Sequence, residues 1–130
     1  MYSIETHTRT AKVGIDDNGI IHVNYFKNAR IDYRDILDLF SLVNDLTNCK
    51  PSPWLIDIRH HVLIDEKARQ FITCQDLYHV VNARAIILDR TTRRNTFKFF
   101  LKSNPHEIPT KFFVEEEGAK DWLVSLKNRE

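Results

Sequence analysis

The sequence predicts a single-domain α/β protein: a mixed sheet of about five strands, with an N-terminal β-hairpin and a parallel core, carrying about four helices. Three observations predict it. From Pro53 to Arg69, PWLIDIRHHVLIDEKAR reads as an inner strand, a basic histidine-bearing turn and a helix start. The same grammar returns where ARAIILD, Ala83 to Asp89, runs into RTTRRNTFKFFL, and two such units side by side require parallel pairing through crossover helices. Near the N-terminus, Asp16-Asp17-Asn18-Gly19 separates two alternating runs, a strong short-range hairpin signal because both central residues tolerate positive φ.

The totals narrow the class. At 130 residues, with 42% apolar and 11% aromatic side chains, the chain closes one core, and we expect one domain over 1–130. A net charge of +1 supplies no global field toward nucleic acid or an anionic membrane. Cys49 and Cys74 are too few for a disulfide framework and lack metal or redox spacing, which suits a reducing cytoplasm. MYSIETHTRT has no apolar signal core, and no stretch of about 18 apolar residues could span a bilayer. These features predict a soluble cytoplasmic protein.

Taken in order, residues 1–7 read as a loose lead-in. Ala11, Val13 and Ile15, then Ile21, Val23 and Tyr25, form the inward faces of the hairpin, with His22 on the polar, solvated face. Asp32 caps a helix whose Ile36, Leu39, Phe40, Val43 and Leu46 form one apolar stripe, ended before Pro51 and Pro53. Trp54 to Ile58 is the first inner strand. Its Asp57 is either satisfied by loop amides or used functionally. Asp65 caps a second helix with Ala68, Phe71, Ile72 and Gln75 inward and Cys74 close by as a buried thiol. A turn at Tyr78 to Asn82 leads to the second inner strand. Thr91 or Thr92 caps a helix with Phe97, Phe100 and Leu101 inward and Arg94, Lys98 and Lys102 outward. Thr110 to Val114 is a third core strand, and Glu115 to Glu117 open a last helix carrying Ala119, Trp122, Leu123 and Leu126.

This order of elements, with PWLIDIR, IDEKAR, ARAIILDRTTRR and PTKFFVEEEGAKDWL, resembles the STAS-like group of small domains, which takes in the SpoIIAA-like bacterial domains and similar lipid-binding relatives. The likeness runs from about Val13 to Leu126 and lies in topology and apolar pattern. In that family the loop after the first inner strand carries a phosphorylated serine. Here the place reads Leu63-Ile64-Asp65-Glu66-Lys67-Ala68, so the kinase-switched mechanism does not carry over. The resemblance implies a non-enzymatic regulatory or ligand-binding domain, often self-associating.

In open parallel sheets ligands settle outside the carboxyl ends of the strands. Two loops leave that rim, and Arg59, His60, His61, Arg90, Thr91, Thr92 and Arg93 are the candidate ligand-binding residues. Hydroxyls, cations and helix-start amides would together make an anion pocket. Alternatively the arginines pair with Asp57, Asp89 or Glu66 and tie the loops down. Adjacent histidines in an extended turn point apart and make no metal pair, and His79 and His106 add none. No nucleophile with a base, paired acids or glycine-rich phosphate loop occurs, so neither catalytic residues nor a cofactor are expected. The Arg94, Lys98, Lys102 stripe is too narrow for nucleic acid. The expectation is an interaction domain working as a homodimer or on a protein partner, through the hairpin edge or a helix face. The alternative is a sensor or carrier of a small anionic or lipid-like ligand.

Overall fold

The computed structural model describes residues 2–68, 80–89 and 108–127. Six strands form one sheet: β1 (Tyr2–His7), β2 (Ala11–Asp16), β3 (Ile21–Tyr25), β5 (Ser52–Asp57), β7 (Val81–Ile87) and β8 (Thr110–Phe113), in the order β1-β2-β3-β5-β7-β8. The pairs β1/β2 and β2/β3 are antiparallel and the other three are parallel. A two-stranded parallel pair, β4 (Arg30–Ile31) with β6 (Leu63–Ile64), sits apart from it. Helices α1 (Tyr33–Thr47) and α2 (Glu116–Lys127) complete the labelled elements, and a further helical turn opens at 66–68, where Asp65 accepts the Ala68 amide at 2.7 Å. The expected features at Cys74, His79, His106 and the helix carrying Arg94, Lys98 and Lys102 lie outside the described residues.

The parallel core is as expected: Ile56 is opposite Ile86 and Asp57 opposite Ile87, so the exits of β5 and β7 share one rim. Alternation sorts the side chains to two faces. On one, Val13, Ile21, Val23 and Trp54 pack under Ile36, Leu39 and Val43 of α1. On the other, Leu55, Ala83, Ala85 and Ile87 pack under Ala119 and Leu123 of α2. Helix α1 starts at a capping box, the Asp32 carboxylate accepting the Arg34 and Asp35 amides while the Asp35 carboxylate accepts the Asp32 amide. It stops at two successive left-handed residues, Asn48 and exposed Cys49, before Pro51.

Four expectations are corrected. Residues 1–7 are not a lead-in: Tyr2–His7 is an edge strand, with Ile4 opposite Ile15 and Thr6 opposite Val13. The Asp16–Gly19 turn forms where expected, the Gly19 amide donating to the Asp16 carbonyl at 3.0 Å, but of Asn18 and Gly19 only Gly19 takes positive φ, because the Asp16 carboxylate gathers the Asn18 and Ile20 amides into a side-chain-closed loop. Leu63 and Ile64, read as loop, pair with Arg30 and Ile31. His22 is not solvated but 3% exposed, because the central strand β3 is covered on both faces and the rule of polar side chains outward fails there.

Candidate functional site

At the carboxyl rim, Asp57 is 7% exposed and wholly engaged with its own loop. The Arg59 amide donates to Asp57 Oδ1 at 3.0 Å, Arg59 Nε donates to the same oxygen at 3.0 Å, and Nη2 donates to Oδ2 at 2.7 Å. This two-pronged bond raises the Arg59 pKa above its ordinary value, against the opposing effect of partial burial. Of the two readings of Asp57 and Arg59, the geometry is that of the structural tie. The loop is also stitched sideways, with the Asn28 amide donating to the His60 carbonyl at 2.8 Å and the Leu63 amide to the Ala29 carbonyl at 2.9 Å. His60 and His61 are exposed, and His61 has φ 57°. Arg90, Thr91, Thr92 and Arg93 lie outside the described residues, so Arg59, His60 and His61 are the part of the predicted set that the structure places.

A second polar group was not anticipated. His22 Nε2 and Asp16 Oδ2 are 2.7 Å apart, both side chains buried. Helix α2 brings Glu116 Oε1 to 3.7 Å from His22 Nδ1 and Lys120 Nζ to 3.8 Å from Asp16 Oδ2. Burial by itself would raise the Asp16 carboxyl, but the His22 bond and the Ile20 and Asn18 amides outweigh it and hold the group below the usual carboxylate range. The pair pins the hairpin to α2. The signal available in the sequence was parity: His22 and Asn24 alternate with the inward Ile21, Val23 and Tyr25, and only a helix on the far face buries His22 while Asn24 stays half-buried.

Two concave regions stand out. Beneath α1 is an apolar cavity of about 60 Å³ lined by Leu39, Phe40, Trp54, Ile56 and Arg84, with the Phe40 and Trp54 rings 5.0 Å apart. That is smaller than the few hundred Å³ of ordinary ligand pockets. Arg84, 5% exposed, donates from Nε to Thr110 Oγ1 at 3.1 Å and stands across the strands from Trp54. At the amino ends of β5, β7 and β8 lies a groove of about 680 Å³. Its floor includes Ile21, Leu46, Leu123 and Leu126, Lys50 and Lys127 stand at its sides, and no carboxylate lines it among the described residues.

The edge of the sheet at β1 is the remaining feature. No described strand pairs with its outer side. Beside it Phe26 is 44% exposed and lines shallow recesses with Glu5, Thr6, His7 and Lys12. Lys12 forms an ion pair with Glu5 along the β1/β2 pair.

This sheet order and helix placement define a SpoIIAA-like fold. The chain is similar to the crystal structure of an uncharacterized protein of the DUF3478 family with a SpoIIAA-like fold from Shewanella loihica PV-4, with a TM-score of 0.64 and 19% identity over 93% of this chain and 99% of that one. Residues 14–127 match the profile described as Domain of unknown function (DUF7793), and the chain belongs to that family. No match was found among curated proteins. No helix among the described residues is long and apolar enough to cross a membrane.

Proposed function

We propose that this chain is a non-enzymatic, cytoplasmic interaction domain of bacterial type that works through the free edge of its N-terminal hairpin, by binding a protein partner or a second copy of itself. The observation that carries the reading is the outer side of β1. Among the described residues no strand pairs with it, and its backbone groups lie beside exposed Ile4 and Phe26, an arrangement that accepts another strand. Among the described residues three buried carboxylates are committed to cationic or imidazole partners: Asp57 to Arg59, Asp16 to His22, and Asp35 to Arg9. Sedimentation from micromolar to millimolar protein, with the purified chain also used as bait, tests it. Association should be abolished by Ile4→Lys with Phe26→Ser. A strict monomer that captures no partner, or association indifferent to those changes, overturns the proposal.

A second reading, a carrier of a small amphipathic anion, draws support from the groove between Lys50 and Lys127, whose apolar floor and, among the described residues, acid-free walls match such a molecule. Native mass spectrometry with dodecanoate as the probe should show one bound molecule. Charge reversal at Lys50 and Lys127 should remove it, and unchanged retention rejects the groove.

A further inference from the structure

The hydrogen-bond parity of β1 limits what can dock on it. The Thr8 amide donates to the Ala11 carbonyl at 2.8 Å, so in the ladder running back from there Thr6/Val13 and Ile4/Ile15 are the hydrogen-bonded pairs and Glu5/Gly14 and His7/Lys12 are not. The other side of β2 agrees. The Phe26 amide donates to the Thr10 carbonyl at 2.9 Å, which turns the backbone groups of Lys12 and Gly14 toward β3 and those of Val13 and Ile15 toward β1. The amides and carbonyls of Glu5 and His7 therefore face outward. Along Ile4–His7 the strand contains neither Lys nor Pro, its one charged carboxylate, Glu5, is paired with Lys12, and its one register irregularity is confined to Tyr2/Ile4.

Resting on the edge-contact reading above, we propose that the occupant is a second copy of β1, antiparallel about a twofold axis through Thr6. An axis between residues sets outward groups against inward ones and makes no ladder. An axis at Glu5 places Glu5 against Glu5, which like charge opposes. An axis at His7 runs past the end of the strand into the Thr8–Thr10 turn, and one at Ile4 crosses the irregular step. At Thr6 each Glu5 meets His7 of the other copy in a rung bonded in both directions, and the two sheets become continuous. Each Glu5 then lies between Lys12 of its own chain and His7 of the other. Both Phe26 side chains come to the same face near the axis, beside the recesses they line with Glu5 and His7. A contact of strand-edge size implies weak, concentration-dependent association.

Sedimentation equilibrium on the full chain tests the register. Glu5→Lys and His7→Glu each turn both attractive pairs into repulsive or unmatched ones and should weaken association about tenfold. The double variant sets a cation against an anion in each rung and should recover it. Far-UV circular dichroism confirms that each of these surface variants is folded. A dimer indifferent to both single changes, or one that the double variant does not recover, overturns this register while leaving the edge contact standing. A wild-type chain monomeric at millimolar concentration overturns this dimer; if the chain also captures no partner as bait, the edge reading falls with it.

Discussion

Replacing Asp16 tests whether the buried polar group holds the hairpin onto α2. Asp16→Ala removes the acceptor for three donors: the Asn18 amide at 2.8 Å, the Ile20 amide at 3.1 Å, and His22 Nε2 at 2.7 Å. Asn18 is exposed and its amide recovers water, whereas Ile20 and His22 are 1% and 3% exposed and recover none. Two buried donors at about 1–3 kcal/mol each suggest a loss of about 3–4 kcal/mol. With a urea dependence of about 2 kcal/mol per molar, the midpoint falls by about 1.5–2 M, readable in the fluorescence of Trp54 and Trp122. Asp16→Asn keeps an oxygen for the amides and should lose only about 1–2 kcal/mol. Because the folded carboxyl lies below its ordinary 3.8, its contribution is complete above that value and disappears as pH falls through the folded pKa. The gap between wild type and Asp16→Ala should therefore narrow in acid. A loss under about 1 kcal/mol for Asp16→Ala, or equal losses for both variants, refutes the reasoning.

Leu55, fully buried beneath α2, should lose about 2–5 kcal/mol on change to Ala, whereas Leu63→Ala at 61% exposure should stay within about 0.5 kcal/mol in the same urea titration. Removing the α1 cap by Asp32→Ala should lower stability by about 1 kcal/mol, and no change would mean that the capping box is dispensable. Asp57→Ala leaves the Arg59 amide and guanidinium without their acceptor. Hydrogen exchange at the Arg59 amide should accelerate while core amides of β7 hold, and an unchanged rate would show that the loop is held by its backbone stitches alone.

The chain by itself determined whatever is local. The α1 stripe and its Asp32 cap, the acidic start of α2 and the two apolar runs that became β5 and β7 follow from periodicity and capping within a few residues. Even the pairing of Asp57 with Arg59 stood among the readings of the loop, since two residues of opposite charge two positions apart need no tertiary help. Only the tertiary structure decided the fate of β1 and His22. Tyr2–His7, with Ile4 its one aliphatic side chain, is too polar to announce itself, and becomes a strand because Val13 and Ile15 offer it a ladder. His22 obeys the alternation that the sequence displays, but alternation says which side chains share a face, not whether a helix distant in the chain covers that face, and α2 does. The candidate edge followed the same division: the hairpin was legible, while which backbone groups point out of it depended on the register of a neighbouring strand.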